Sequence, residues 1–380
     1  MRFFTLLLPL FFATLCYGSL FGSIRSGLSR LNPFSSRRDS ASEVIVSNGY
    51  RAPVMNKGYI RPPPPRPRPV ISNVVVFGDS HSDTGNTRAI SKNRSPPPHY
   101  FQGRYSNGPN WVDYVGKNLG IAIKNFAYGG GTVDSSLNQG IAGYGSKVKV
   151  PGIAQQVDLF LNTTYGNIQN TLFLLCGGSN DYFMNATVEA NDIQNAMRDS
   201  AEALLKKGAT SIALCTLPPL TATPMIKSTW IKRLIFRFAE PVYNYRVRQL
   251  VSELQIRHPD RYFITWDLGP ILSNIIQNAK ENGFTNTYQA CVDEKNNSPP
   301  CKNPDEYVYW DSINPTTRTH KLIAESFQAL LKNNFVYRPY YNQQYNGNNQ
   351  RPGPPMEQQY GGPRFNGKMP PNRPPYVQYA

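Results

Sequence analysis

The chain has 380 residues with 40 basic and 24 acidic side chains, a net charge of +16, and many prolines (33) and glycines (29). The excess charge lies at the ends: residues 1–69 hold ten basic and two acidic side chains and residues 336–380 five and one, so the flanks account for +12 and the stretch between them for +4. That distribution excludes a folded basic face of the kind that grips nucleic acid, and no run, the short one in the first 13 residues included, is long and apolar enough to span a bilayer.

In chain order, Arg2 precedes an apolar run through Ala13, and small residues follow near Gly18. This is the layout of a cleaved secretory signal over residues 1–18, and it predicts export and an extracellular location. Residues 19–70 are basic and proline-rich and end in Arg61-Pro62-Pro63-Pro64-Pro65-Arg66-Pro67-Arg68-Pro69, a polyproline II spacer within a disordered linker. A folded domain is expected over residues 71–335, enough for one sizeable core. It opens with a β-branched run over 73–77 that stops at Gly78-Asp79-Ser80, followed by His81, and His99 falls in a proline-rich loop. A second strand is expected over 121–125, leading to Gly129-Gly130-Gly131, where missing side chains let backbone N–H groups approach a ligand. The third, over 172–176, ends in Gly177-Gly178-Ser179-Asn180.

Asn162-Thr163-Thr164 and Asn185-Ala186-Thr187 are glycosylation acceptors that suit a secreted chain. A helix is expected over 191–207, a strand over 211–216, a helix over 241–256 and a strand over 262–266. Cys176 and Cys215 sit in apolar strand patterns and are expected as buried free thiols. Cys291 and Cys301 flank a polar loop and are expected as a disulfide. Residues 221–238 interleave apolar and basic side chains; a helix packed on the sheet and a lid that meets lipid or an anionic surface are both open. His258 falls in a helix-ending turn. The segment Trp310-Asp311-Ser312-Ile313-Asn314-Pro315-Thr316 precedes a helix over 317–332 that carries His320 in its first turns. Residues 336–380 are Pro, Gly, Asn, Gln and Tyr with few aliphatics, too little apolar surface to offset the entropy of ordering.

Strands alternating with helices predict an α/β fold with a parallel sheet and helices on both faces. The segments ending in Ser80, Gly130 and Asn180 then meet the Asp311 segment at the carboxyl edge of the sheet. These four blocks, in this order, resemble the SGNH or GDSL hydrolase family of lipases and esterases, with Gly-Asp-Ser-His in place of the usual Gly-Asp-Ser-Leu. The resemblance implies a three-layer α/β/α sandwich of flavodoxin-like type around a central, mainly parallel five-stranded sheet. It also implies Ser80 as nucleophile, with an oxyanion hole from the N–H groups of Ser80 and Gly130 and the side chain of Asn180.

The fourth block departs from the family pattern Asp-x-x-His-Pro-Thr. Asp311 is present, but Asn314 stands where the histidine is expected, and an amide cannot take the serine proton near neutral pH. His320 and His81 are the candidate substitutes, with Asp311 itself a poorly matched base. Two readings stay open. One is a secreted carboxylic-ester hydrolase impaired by Asn314, acting on an acylated small molecule, a lipid or an acetylated polysaccharide. The other is an inactive relative that binds glycan or lipid, or serves as a coat or wall protein, its basic flanks touching an anionic wall or matrix. No metal, cofactor or nucleic-acid partner is expected.

Overall fold

In the computed structural model, which describes residues 67–337 except 144–145, 165, 186–187, 228–229 and 295–298, the five apolar runs form β1 (Asn73–Gly78), β2 (Ala122–Asn125), β3 (Thr171–Cys176), β4 (Ser211–Cys215) and β5 (Tyr262–Trp266). The expected signal segment lies outside the described residues, as do nearly all of the linker and tail. The strands build one sheet in the order β2-β1-β3-β4-β5, every neighbouring pair parallel. All six residues of the central β3 are buried, as a strand covered on both faces requires.

Six longer helices cover the sheet: α1 (Trp111–Leu119), α2 (Ile153–Thr163), α3 (Ala190–Lys206), α4 (Trp230–Arg257), α5 (Leu268–Gln277) and α6 (Thr317–Asn334). Successive strand residues point to opposite faces. Val75, Phe77, Phe173, Leu175, Ile212 and Leu214 therefore pack on one side with Ile153, Val157, Ile193, Leu204, Tyr243 and Leu250 of α2, α3 and α4. On the other side, Val74, Val76, Leu172, Leu174 and Ala213 pack with Trp111, Val115, Leu272, Phe327 and Leu331 of α1, α5 and α6. The result is the expected three-layer α/β/α sandwich.

Local chemistry fixes the helix ends that matter for the site. The Asn110 side chain accepts from Val112 N at 3.0 Å and Asp113 N at 3.3 Å, while Asp113 Oδ2 accepts from Asn110 N, closing a capping box at the start of α1. Thr316 caps α6 by accepting from Thr319 N.

Two expectations need correction. Cys176 and Cys215 are not free thiols: they are joined in a disulfide between β3 and β4, Cα atoms 4.8 Å apart. The register places Leu175 opposite Leu214, so the two cysteines are neighbours across adjacent strands at the ordinary inter-strand spacing. In addition, α4 begins at Trp230 rather than at 241 and runs through Pro241. That proline cannot donate to the Arg237 carbonyl, but both residues are exposed, where water can satisfy the carbonyl, and the buried Phe236 holds the first turns to the core. Cys291 and Cys301 are paired, with Cα atoms 4.9 Å apart.

Candidate active site

From β1 the chain runs outward to β2 and then back past β1 to β3, so the strand order reverses between β1 and β3. Open α/β sheets place ligands in the crevice at the carboxyl ends of such a pair. Ser80 follows β1 and Asn180 follows β3.

Gly78 closes β1 where a side chain has no room: a Cβ there would lie 2.6 Å from the Cys176 carbonyl oxygen of β3. The next turn is held from several directions. Asp79 O accepts from the N–H groups of Ser82 and Asp83, both at 3.0 Å, and Asp79 Oδ1 accepts from His81 N at 3.1 Å. Asn125 Nδ2 donates to Ser82 O, Trp111 Nε1 to Ser82 Oγ and Asn110 Nδ2 to Asp83 O. The turn therefore presents a half-buried Ser80 on a rigid support. Asp83, buried, accepts from Gly85, Asn86, Thr87 and Gly129 N–H groups and so ties this turn to the glycine loop after β2. Burial pushes the carboxyl groups of Asp79 and Asp83 up, against the pull of these hydrogen bonds.

Gly130 has φ +84°, and a Cβ there would fall on the Ile141 carbonyl oxygen, so glycine is obligatory. Asn180 is buried at the start of the short helix Ser179–Met184 and donates one Nδ2 hydrogen to Gly131 O at 2.9 Å, which binds the glycine loop to the loop after β3 and leaves its second hydrogen available. Among the described residues, the backbone N–H groups of Ser80 and Gly130 have no hydrogen-bond acceptor.

The Asp311 loop follows the paired strands Asn286–Ala290 and Tyr307–Tyr309 and closes through a bond from Trp310 N to Asn314 O at 2.8 Å. Asp311 is wholly buried. Its Oδ1 accepts from Ile313 N at 2.8 Å and Asn314 N at 2.6 Å, and its Oδ2 accepts from Asn314 Nδ2 and from Tyr100 Oη, both at 2.8 Å. Asp311 thus orients the Asn314 amide, whose Oδ1 is buried without a partner among the described residues. Tyr100 Oη also touches Glu294 Oε1, on the loop between Cys291 and Cys301. Burial raises the pKa of Asp311, and burial with the Asp311 charge raises that of Glu294 to about 7.

The histidines divide into three sites. His320, in the first turn of α6, is wholly buried with neither ring nitrogen partnered among the described residues, and its ring centre lies 6.4 Å from that of His81. The two line a cavity of about 40 Å³ together with Asp79, Ser179, Thr216 and Pro315. Burial, and then the neighbouring His81, hold His320 well below the usual imidazole range. His99 stacks near Tyr100 and Trp310 at 4.8 and 6.3 Å, its Nε2 without a partner among the described residues. His258 follows α4 and pairs with Glu202 at 3.0 Å. Nothing in the sequence pattern marks Tyr100 or Glu294. The only signal was indirect: a carboxylate in the loop between two cysteines just before the Asp311 block. Asn162 and Asn185 are both exposed.

A family profile described as GDSL-like lipase/acylhydrolase matches residues 74–327. Among curated relatives, the thermolabile hemolysin of Vibrio parahaemolyticus is 30% identical over 298 residues, covering 70% of this chain and 66% of that protein. A GDSL esterase/lipase of Arabidopsis thaliana is 26% identical over 336 residues, covering 71% and 90%. The chain thus spans just under two thirds of the hemolysin's length. Among solved structures, a lipolytic G-D-S-L family protein of Veillonella parvula aligns with a TM-score of 0.40 and 13% identity, covering 68% of this chain and 98% of that one.

Proposed function

The chain belongs to the family of GDSL-like lipases and acylhydrolases, and from that membership we propose that it is a secreted carboxylic-ester hydrolase that forms an acyl-enzyme on Ser80. The observation that carries this reading is the pair of acceptor-free N–H groups, of Ser80 and Gly130, beside an Asn180 amide with one hydrogen to spare. Fixed donors of this kind meet the charge that develops on a tetrahedral intermediate and form the largest single catalytic contribution in many acyl transfers.

In the proposed sequence Ser80 Oγ attacks the ester carbonyl carbon, its proton passes to a substitute imidazole, His320 or His81, and the carbonyl oxygen becomes an oxyanion. Collapse expels the alcohol, which takes the proton back from the imidazolium. Water then repeats the steps on the acyl-enzyme and releases the acid. His320 is the neutral neighbour that packs against His81. Asn314 occupies the position of the family's base without its chemistry, so turnover is slow: loss of one triad member generally leaves roughly 10³- to 10⁴-fold catalysis over water. A second reading is favoured by the unpartnered Asn314 Oδ1: a relative that binds an acylated ligand and does not turn it over.

The substrate proposed is an acylated small molecule, a lipid or an acetylated polysaccharide. Export through the segment 1–18, glycans at Asn162 and Asn185, a hydrolase-like domain over 71–335 and contact of the basic flanks with an anionic wall or matrix belong to the same proposal.

The test is hydrolysis of a short-chain p-nitrophenyl ester by the secreted protein, beside Ser80→Ala, His81→Gln and Asn314→His. Slow turnover in the parent, loss in Ser80→Ala, loss in His81→Gln if that imidazole rather than His320 is the base, and a gain of roughly 10²-fold or more in Asn314→His are expected. No turnover in the parent, with turnover in Asn314→His, establishes the second reading.

A further inference from the structure

The first turns of α4 present apolar side chains to both sides. Phe236, Tyr243 and Val247 are buried against the sheet and the neighbouring helices. On the opposite side Trp230 (73% exposed), Leu234 (46%), Phe238 (56%), Val242 (46%) and Tyr245 (62%) follow one another every three or four residues, with Ile231 beside them. A surface helix ordinarily turns charged and polar residues to that side. Here the charge lies along the margins: Lys232, Arg233 and Arg237 are exposed, and none forms an ion pair among the described residues. The one acid in the first five turns, Glu240, points inward and accepts from Leu220 N at 2.8 Å.

From this face we infer that α4 docks the protein on an anionic phospholipid bilayer, its apolar stripe entering the headgroup boundary and its three unpaired cations meeting lipid phosphates and carboxylates. An apolar face with basic margins is the composition that lies in a membrane interface, and each cation near an anionic surface adds to the attraction. Charge selects this occupant over two others. A second copy docked on the same stripe by a twofold axis would set the two rows of cations against each other. The chain's own flanks, residues 1–69 and 336–380, carry +8 and +4 and are repelled in the same way.

The docked helix also braces the site. Tyr243 Oη donates to Gly177 O at 2.7 Å, beneath the turn that presents Asn180, and Asn244 Oδ1 accepts from Leu217 N at 2.7 Å. Docking thus sets the carboxyl edge of β3 and β4 beside the lipid surface. Membrane association goes beyond the Ser80 chemistry and holds with or without turnover.

Trp230 supplies its own reporter, because Trp111, Trp266 and Trp310 are each 2% exposed. The full secreted protein is mixed with phosphatidylcholine vesicles with and without phosphatidylserine, and Trp230 emission and co-sedimentation are read. The expected result is a blue shift and co-sedimentation with the anionic vesicles, both weakened at least about tenfold by high salt, by removing phosphatidylserine or by the triple variant Lys232→Glu/Arg233→Glu/Arg237→Glu. Leu234→Glu/Phe238→Glu is expected to abolish binding with thermal stability unchanged, since both side chains are exposed. An unshifted Trp230 on anionic vesicles overturns the inference. So does a parent dimer that Leu234→Glu/Phe238→Glu dissociates, or a Trp230 contribution, taken as the parent spectrum minus that of Trp230→Phe, already blue-shifted without vesicles, which would show the stripe covered by the protein itself. None of these readouts depends on ester hydrolysis.

Discussion

At the Asp311 end of the site a single phenol proton faces two carboxyl groups. Tyr100 Oη lies within hydrogen-bond distance of both Asp311 Oδ2 and Glu294 Oε1, so both contacts form only if one carboxyl is protonated. Asp311 already accepts three N–H bonds from Ile313 and Asn314, which favours its charged form. The extra proton therefore sits on Glu294, whose pKa burial and the Asp311 charge lift to about 7. A carboxyl raised in the folded state stabilises the fold fully below its unfolded value, 4.5, and that contribution is lost as pH rises through about 7. Glu294→Gln keeps a neutral donor toward Tyr100. The parent is expected to lose roughly 1–3 kcal/mol between pH 5 and pH 8 that the variant keeps, read as melting temperature against pH; parallel pH profiles for the two would place the proton elsewhere. Asp311 and Asn314 were legible in the sequence because they lie three residues apart in one motif. Tyr100 and Glu294 were not, because the contacts that bring them to Asp311 and to each other span 211 and 194 residues.

Among the elements, β3 and β4 show how far periodicity carries. Each apolar run reveals a strand, and its alternation with helical patterns places all five in one parallel sheet. Which residues become neighbours across strands depends on register, which single-strand patterns do not contain. Cys176 and Cys215 are the case in point: each looks like a buried thiol in its own strand, and only the alignment of Leu175 with Leu214 sets them together. Their cross-link closes a separation of 39 residues, for which chain entropy gives a contribution of about 4 kcal/mol. A non-reducing peptide map is expected to recover the Cys176–Cys215 pair. Cys176→Ala/Cys215→Ala is expected to lower stability by roughly 2–4 kcal/mol in denaturant unfolding; equal stability would mean that the link does not constrain the unfolded chain. Helix α4 joins two expected segments, the helix over 241–256 and the latter part of the helix or lid over 221–238, across Pro241. Apolar residues on two opposite faces blur the helical period, and Pro241 resembles a helix start.

For the molecule as a whole, topology brings three distant motifs to one edge of the sheet. The order β2-β1-β3-β4-β5 puts the ends of β1 and β3 side by side at the reversal, and hydrogen bonds from Asp83 to Gly129 and from Asn180 to Gly131 fix the glycine loop between them. The fold class, the strands and the family were legible because each rests on local composition or short motifs. Candidates for the missing base, His320 and His81, could be named from the sequence, but their approach to 6.4 Å could not, since it depends on how α6 packs. The proposed hydrolase requires Ser80 to act as a nucleophile facing an oxyanion hole, and covalent trapping tests this most directly. A fluorophosphonate probe, which bonds to an activated serine with loss of fluoride, is expected to add its mass to the Ser80 peptide of the folded parent and to leave Ser80→Ala unmodified. A folded parent with Ser80 unlabelled would contradict the account.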